Sequence, residues 1–228
     1  MKIKERYTDV KKIKVKLVEE DIVVNYHDDN DIYVQYDGDF NNKVSFEMNN
    51  NELVIERKFS IEQLVCMKIS KGILQLFLPK TYNIDLKLFS TSGHIQIYTN
   101  NDDIDLQTVS GRIESHGIGN YADIETVSGS IRVYQPYTKI YFKTTSGSVK
   151  LAAKEDSYYK GSTVSAGVLI SLLENQGYKM SFKSISGRFN DKYALKKGSN
   201  NIEYTEGKQR AVFLINTVSG NCKLDNWL

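Results

Sequence analysis

Serine followed by glycine recurs six times in this chain of 228 residues, and a repeated serine first suggests nucleophilic chemistry. A nucleophilic serine needs a base within hydrogen-bond reach and a third group that orients the base. The chain has three histidines, His27, His94 and His116, and the last two stand at different distances from their nearest Ser-Gly pair. Six near-identical pairs cannot all be nucleophiles, so we expect turn chemistry, in which serine hydroxyls cap backbone groups and glycine supplies a positive φ. The pairs are Ser92-Gly93, Ser110-Gly111, Ser128-Gly129, Ser146-Gly147, Ser186-Gly187 and Ser219-Gly220.

The Ser-Gly pairs recur at a nearly fixed interval. The first four of their glycines lie 18 residues apart. A degenerate copy at residues 163–168 has Ala166 in the glycine position, and the later intervals are 19, 21 and 33 residues. A fixed short period is the signature of stacked repeats, in which each unit buries its apolar face against its neighbours.

Apolar residues occupy equivalent places in every unit. Two residues further along than the glycine, all seven positions are apolar: Ile95, Ile113, Ile131, Val149, Val168, Phe189 and Cys222. The next column, two residues on again, is apolar except at Ser115 and Asp191. Late in each regular unit, two apolar residues stand two positions apart with a polar residue between them, such as Ile104 and Leu106. This alternation indicates a second short strand. We therefore expect two strands in each unit.

Stacked units of this kind predict an all-β protein, a single-stranded β-solenoid (β-helix) with coils of about 18 residues. Coils ~4.8 Å apart would pair each strand with its equivalent in the next coil. An antiparallel meander or sandwich explains the alternation but does not require identical corners at equal spacing. Left-handed β-helix acyltransferases also use this period, but their apolar residue recurs every six positions. Polar residues or glycine stand there in this chain, at Asn101, Gln107, Gly119 and Glu125, which argues against that class.

The chain is predicted to form one solenoid domain, in which the segments before and after the regular repeats depart from their pattern. The expected parts are leading coils or capping strands at 1–72, regular repeats at 73–190, and a hairpin insertion with the last coil at 191–228. Strand-like alternation in the first part falls at 12–18, 21–26, 31–36, 43–48 and 52–58. In the last part, residues 201–205 and 210–215 are predicted to pair as a hairpin around a turn at 206–208.

Composition limits the classes of function. The 30 Lys and Arg against 28 Asp and Glu give a net charge of +2, which predicts no nucleic-acid partner and no broad field towards anionic lipid. No apolar stretch is long enough for a membrane span, and the first residues lack the apolar region of a signal peptide. The sequence as written therefore predicts a cytoplasmic protein, or a surface protein trimmed of its targeting segment. The two cysteines, Cys66 and Cys222, are expected to be free thiols.

Other residue clusters suggest alternative chemistry. Carboxylates at 28–31 and 102–105 could bind Ca²⁺, although neither cluster has the glycine and distal glutamate of an EF-hand. Right-handed β-helix polysaccharide lyases place acidic residues and a basic catalytic residue on one face of the solenoid. Asp103, Asp123 and Lys139 stand at similar positions in their coils, which makes them candidates for such a site. Tyrosines are candidates for a sugar-binding patch, although strand composition alone predicts as many. Those tyrosines include Tyr121, Tyr134, Tyr137 and Tyr141.

The direction of the side chains at each corner is the main open question. If Ile104 and Leu106 point inwards, Thr108 and Ser110 do so too, and Val109 points outwards. We prefer this arrangement, with the hydroxyls buried and bonded along the stack. It would leave an exposed stripe suited to docking a partner. The stripe would consist of Val109, Val127, Thr145, Val164, Ile185 and Val218.

The motif [ST]-x-S-G-x-[IVF] at this spacing, preceded by Leu76-Phe77-Leu78-Pro79, resembles bacterial adhesin-like domains of unknown function built from β-strand repeats. They are related to the head domains of autotransporter adhesins. The resemblance covers roughly residues 10–224. It implies a β-solenoid fold, no known enzymatic activity, and a role at or near the cell envelope. Some members are similar to proteins linked to envelope-stress responses.

We therefore expect a non-enzymatic scaffold or interaction module that needs no cofactor and binds a protein or a component of the cell envelope. Two alternatives remain open. One is a carbohydrate-active solenoid enzyme of the polysaccharide lyase type, and the other is a glycan-binding adhesin.

Overall fold

The computed structural model describes residues 2–38, 43–58, 71–81, 83–172, 177–208 and 210–226. These residues form strands and turns, and none of them lies in a helix. The strands are β1 (Lys2–Tyr7), β2 (Lys12–Leu17), β3 (Asp21–His27), β4 (Ile32–Asp37), β5 (Lys43–Asn49), β6 (Glu52–Lys58), β7 (Ile73–Pro79), β8 (Asp85–Ser90), β9 (Ile95–Ile97), β10 (Asp103–Thr108), β11 (Ile113–Ser115), β12 (Gly119–Thr126), β13 (Ser130–Val133), β14 (Tyr137–Thr144), β15 (Ser148–Ala153), β16 (Tyr158–Thr163), β17 (Gly167–Leu172), β18 (Tyr178–Ser184), β19 (Arg188–Asp191), β20 (Lys196–Ser199), β21 (Ile202–Glu206), β22 (Ala211–Thr217) and β23 (Cys222–Leu224).

The strands form two long, mostly parallel sheets, which confirms the all-β prediction. The first sheet has 12 strands in the order β1-β4-β7-β3-β9-β11-β13-β15-β17-β23-β19-β20. The second sheet has 11 strands in the order β21-β18-β22-β16-β14-β12-β10-β8-β2-β6-β5. In the middle of the stack each coil gives one strand to each sheet, from β8 and β9 through β16 and β17.

The repeats pair in parallel with the register that the 18-residue spacing predicts. Leu106 lies opposite Leu88 on one side and Ile124 on the other. In the other sheet Ile113 lies between Ile95 and Ile131. Parallel pairing of equivalent residues excludes an antiparallel meander for these repeats, and the fold is β-solenoid-like.

The predicted apolar columns form the core between the two sheets. All seven residues two positions beyond the glycine are buried, including Phe189 and Cys222. The two polar members of the next column are buried as well. The Ser115 hydroxyl lies 3.1 Å from the Tyr137 hydroxyl, and Asp191 accepts hydrogen bonds from Tyr178 and Tyr204. Buried polar groups are tolerated where they are hydrogen-bonded in this way.

The order of coils in space differs from their order in the sequence at both ends. The coil of β2 and β3 lies between that of β8 and β9 and that of β6 and β7. At the other end, the coil of β22 and β23 lies between that of β16 and β17 and that of β18 and β19. The expectation that successive coils stack in sequence order is therefore wrong outside the middle.

The predicted C-terminal hairpin is also wrong. Strand β21 does not pair with β22, because β18 lies between them. β21 pairs antiparallel with β18, and β22 pairs parallel with β18 on its other edge. Both strands that the sequence predicts are present. They do not pair with each other, because β21 pairs antiparallel with one edge of β18 and β22 pairs in parallel with the other.

Antiparallel strands flank the outermost coil at both ends. At the N-terminal end, β5 pairs with β6 and β4 pairs with β7, and β1 adds to β4. At the C-terminal end, β21 and β20 pair with β18 and β19 in the same way. A change from parallel to antiparallel pairing ends the repeat and covers the parallel edge that further coils could join. The expectation of capping strands thus holds at the N-terminal end, and the C-terminal end has a cap that the sequence analysis did not predict.

The corner glycines allow close approach of neighbouring coils. A Cβ added at Gly111 would overlap with the carbonyl oxygen of Gly93, and one at Gly129 would overlap with that of Gly111. Among the Ser-Gly glycines only Gly147 has a positive φ, of 109°. The expectation that glycine is present for its positive φ is therefore wrong at the other corners. The absence of a side chain is what the stacking requires there.

Replacing Gly111 with alanine is expected to lower the free energy of unfolding by about 2 kcal/mol, because the added methyl group must push neighbouring coils apart. Urea denaturation measures the change. Gly167→Ala is the matched control, since its added methyl group meets no atom within 4 Å. Equal loss of stability in both variants would show that close stacking at the corner does not require the glycine.

Candidate interaction surface

Each regular corner begins with a buried hydroxyl at the end of a strand of the second sheet. The Thr126 hydroxyl accepts a hydrogen bond from the Gly129 N–H at 3.0 Å, and Thr108 does the same for Gly111. Ser90, Thr217 and the partly buried Ser184 repeat this bond at their own corners. At residues 144–147 and 163–166 the pattern changes, and Thr163 donates instead to the Thr217 hydroxyl at 2.9 Å. The buried hydroxyls are thus bonded within and along the stack, as the preferred arrangement predicts.

Serine hydroxyls at the corners cap backbone carbonyl groups, as the turn chemistry expected from the sequence predicts. Ser128 donates to the carbonyl oxygen of Val109 in the neighbouring coil at 3.4 Å, and Ser165 and Ser219 make equivalent bonds. Ser110 is exposed, so the expectation that it points inwards is wrong. The reason is that the chain turns directly after Thr108, and the inward-outward alternation of the strand ends there.

The predicted docking stripe is exposed. Val109, Val127, Val164 and Val218 are 40–49% exposed, and Ile185 is 75% exposed. Backbone hydrogen bonds connect neighbouring members, such as the Val127 N–H to the Val109 carbonyl and the Ile185 N–H to the Val218 carbonyl. In space the order along the stack is Val109, Val127, Thr145, Val164, Val218 and Ile185. We call these six residues the corner stripe.

Four members of the corner stripe form one wall of an open groove: Val109, Val127, Thr145 and Val164. The side chains immediately before and after each buried threonine both point outwards, which leaves a concave line along the corner. The groove has a volume of about 390 Å³. Its other wall consists of Gln107, Glu125, Lys143 and Ser162, and Phe89 lies at one end. An apolar edge opposite a mixed polar edge suits an elongated ligand that lies along the stack.

The histidines do not form a nucleophilic site with the corner serines in the described part of the chain. His94 Nδ1 accepts a hydrogen bond from the Arg112 N–H at 2.9 Å. His116 stacks between Tyr98 and Tyr134, with ring centroids 4.7 and 4.3 Å away. His27 is bonded to the Asp31 carbonyl. Each ring is engaged with groups other than a corner hydroxyl.

Carboxylates of both clusters form ion pairs or hydrogen bonds with side chains nearby. Asp28 pairs with Lys80, and Asp31 pairs with Arg6. Asp102 accepts hydrogen bonds from the side-chain amides of Asn83 and Asn120. Among the residues that the structure describes, no three His, Cys, Asp or Glu are grouped as metal ligands.

The three residues of the lyase comparison lie on the outer face of the second sheet, but in two columns. Asp103 and Lys139 share one column with Tyr121 between them, and Asp123 lies in the next column beside Asp105. Burial raises the pKa of Asp123, and the charge of Asp105 raises it further. Burial and the charge of Asp103 likewise raise the pKa of Asp85. Carboxylates are therefore crowded at this point of the face, although Lys87 pairs with Asp105 beside them.

The tyrosines singled out in the sequence do not form one patch. Tyr137 is fully buried, and Tyr134 lies in the stack with His116. Tyr121 and Tyr141 lie together on the second sheet, with ring centroids 5.7 Å apart.

The cysteines have different outcomes. Cys222 is a free, buried thiol, as predicted, and its pKa is raised by burial and by the charge of Asp191. Cys66 lies outside the described residues.

Two buried polar clusters near the ends of the stack were missed by sequence reasoning. Glu20 and Arg57 form a buried ion pair at 3.0 Å, and Glu20 also accepts the Val18 and Glu19 N–H groups. At the other end, Asp191 holds the loop after β19 through the Tyr193 and Ala194 N–H groups. The only sequence signal was Asp191 itself, a polar residue in an otherwise apolar column.

Comparison with known proteins places the chain in a family. The family model Toastrack DUF4097 matches residues 10–139 and 102–225, two overlapping segments that together span nearly the whole chain. The chain belongs to the Toastrack DUF4097 family. No curated protein matches it.

Solved structures share the fold at low identity. A "putative adhesin" from Bacteroides fragilis is 11% identical, with a TM-score of 0.51, and the match covers 99% of this chain and 97% of that one. A "Putative lipid binding protein" from Parabacteroides distasonis is 14% identical, with a TM-score of 0.53, and covers 98% and 97%. At these identities the likeness concerns the fold alone. A relation to autotransporter adhesins does not emerge from these matches.

Apolar helices of membrane-spanning length do not occur among the described residues.

Replacing Thr126 with valine is expected to lower the free energy of unfolding by about 1–3 kcal/mol, because the buried Gly129 N–H loses its acceptor. Thermal denaturation measures the loss. Ser128→Ala, two residues away, removes only an exposed and long hydrogen bond, and a change within about 0.5 kcal/mol is expected. If Ser128→Ala were the more damaging variant, the serine and not the threonine would hold the corner.

Asp123→Asn is expected to raise the melting temperature at neutral pH, because it removes a crowded charge. A raised pKa means that the folded state binds more protons than the unfolded state, so stability falls as pH rises from the ordinary aspartate value through the raised one. The gain should therefore shrink in acid, where Asp123 is protonated in both states. Glu203→Gln is the contrasting control: Lys179 lowers the pKa of Glu203, so this change should not stabilise. A gain from Asp123→Asn that is constant with pH would contradict the charge argument.

Proposed function

We propose that this protein is a non-enzymatic, adhesin-like interaction module of the cell envelope that docks a protein partner along the corner stripe. The observation that carries the proposal is the exposure of the stripe itself. Soluble proteins normally scatter exposed apolar side chains singly, and a contiguous row marks an interaction site. Here five apolar residues recur in register on six consecutive coils.

The groove supports an elongated protein segment as the partner. The stripe offers β-branched side chains, and the opposite wall offers amide, carboxylate, ammonium and hydroxyl groups in turn. Such a line of varied polar groups beside an apolar edge gives an extended peptide both contact area and register. The adhesin description of the Bacteroides fragilis structure is consistent with this kind of role.

The absence of a nucleophile-base pair at the described corners favours binding over catalysis. A lyase-like reaction would need the carboxylates and a base to converge on one bound sugar. Asp103 and Lys139 instead stand two coils apart with Tyr121 between them, which supports binding as the leading function.

A double substitution, Val127→Lys with Val164→Lys, tests the docking surface. The protein is applied to a panel of immobilised matrix and cell-surface proteins, and binding is followed by surface plasmon resonance. Wild-type protein is expected to bind at least one of them, and the variant to bind about tenfold more weakly, because the central apolar contacts are replaced by charge. Both valines are exposed, so the fold should persist.

Ile118→Lys is the matched control for that experiment. Ile118 is 46% exposed, like the valines, but lies outside the groove. Its variant is expected to bind as the wild type does. The proposal fails if the stripe variant keeps full affinity, if wild-type protein binds no member of the panel, or if it turns over polysaccharide substrates.

A further inference from the structure

The turn between β19 and β20, at the C-terminal end of the stack, presents an unusual leucine. Residues 192–195 connect the two antiparallel strands. Leu195 is 87% exposed, more than any other large hydrophobic side chain that the structure describes. It covers no core and lies apart from the corner stripe. Packing within the chain therefore gives no reason for a leucine at this position.

The backbone makes the leucine still less expected. Six described residues other than glycine have a positive φ, and five of them are aspartate or asparagine, which tolerate that conformation. Leu195 is the sixth, with a φ of 52°. Asparagine or glycine would suit the turn better and would be more soluble. A strained, fully projecting apolar residue points to a function outside the folded chain.

Hydrogen bonds to the buried Asp191 carboxylate hold the turn in place. The Asp191 carboxylate accepts the Tyr193 and Ala194 N–H groups at 2.8 and 3.0 Å, and its other oxygen accepts the hydroxyls of Tyr178 and Tyr204. The Tyr193 hydroxyl in turn accepts the Leu172 N–H at 3.3 Å. A turn anchored in this way projects Leu195 without further ordering, and a preorganised contact loses less entropy on binding.

Positive charge surrounds the leucine. Lys192, Lys196 and Lys197 flank it in the sequence. Residues 177–226 contain nine Lys and Arg and four Asp and Glu, an excess of five positive charges, whereas the whole chain has a net charge of +2. One of the four acids, Asp191, is buried beneath the turn.

Some of these cations are already paired within the chain, and others are available. Lys192 pairs with Asp225, and Lys196 pairs with Glu206 at 4.0 Å and lies over the Tyr204 ring. Lys197, together with Arg188 on the neighbouring strand, makes no ion pair in the described chain. Both side chains are exposed.

We propose that this turn is a membrane-contact site, in which Leu195 enters the headgroup region of an anionic bilayer while the exposed cations beside it, Lys197 and Arg188 above all, bind lipid phosphates. An apolar tip ringed by cations combines the two attractions that hold peripheral proteins on such surfaces. A free phosphate would use the lysines but not the leucine. A protein partner would need a broad complementary surface, typically about 800 Å² on each side, and a single projecting side chain offers little of one.

The first test measures binding of the full chain to sedimented vesicles. Vesicles of phosphatidylcholine with phosphatidylglycerol are compared with vesicles of phosphatidylcholine alone, at low and high salt. Wild-type protein is expected to bind the anionic vesicles about tenfold or more tightly, and salt should weaken that binding. Lys197→Gln should lose about fivefold, and Lys160→Gln on the second sheet should lose nothing. No preference for anionic vesicles would overturn the proposal.

Leu195→Asn separates a binding role from a structural one. Asparagine suits a positive φ, so the melting temperature should hold or rise, while vesicle affinity should fall about tenfold with the loss of the apolar contact. The matched control is Ile118→Asn, which removes an exposed apolar residue elsewhere and should leave vesicle affinity unchanged. Unchanged affinity in Leu195→Asn would overturn the insertion of the leucine.

Leu195→Trp reports the depth of the tip directly. Its fluorescence should shift to shorter wavelength on anionic vesicles and should be quenched by lipids brominated in the acyl chain, with wild-type protein supplying the background from Trp227. Binding without a shift or quenching would mean that the tip stays in water and that charge alone holds the protein on the vesicle, which contradicts the proposal. The outcome is independent of the corner stripe, which these variants leave intact.

Discussion

The stack depends on the contact between the backbone of one corner and the carbonyl oxygen of the corner below it. At Gly111 and Gly129 that contact leaves no room for a Cβ. With the corners in contact, the flanking strands pair in parallel and in register, and the apolar columns pack against each other between the sheets. The buried threonine satisfies the glycine N–H at the same point, so close approach leaves no unpaired donor. Strand pairing, core packing and the outward stripe all follow from this geometry.

Charge is divided along the stack although the total is nearly balanced. Residues 85–125 contain seven Asp and Glu and two Lys and Arg, whereas the C-terminal region is basic. Parallel stacking explains why this matters, because residues 18 apart become neighbours ~4.8 Å apart. Asp105 and Asp123 are separated in the sequence but adjacent in the sheet. A net charge near zero therefore describes this surface poorly, and local fields determine what each region attracts.

The sequence predicted the repeating middle well, because there each residue's neighbours are set by a constant offset. The columns at Ile113 and Ile131 and the exposure of Val127 all follow from counting by 18 and alternating. The ends were not predictable in this way. Whether β22 or β18 pairs with β16 depends on the competition between whole coils, and both carry the same corner chemistry. The strained φ of Leu195 was equally invisible, since nothing in the local sequence requires it.

The placement of the last coil has a consequence for synthesis. The coil of β18 and β19 leaves the ribosome before that of β22 and β23, yet its final neighbour is the later coil. Its strands and corner could equally dock on β16 and β17, the position that the later coil must occupy. Docking in order of synthesis would thus produce a misassembled stack that has to open again before the last coil can enter. Folding in the order of synthesis therefore hinders correct assembly at the C-terminal end of this chain. A wrongly docked coil is slow to correct, because the correct strand pairs join residues far apart in the sequence.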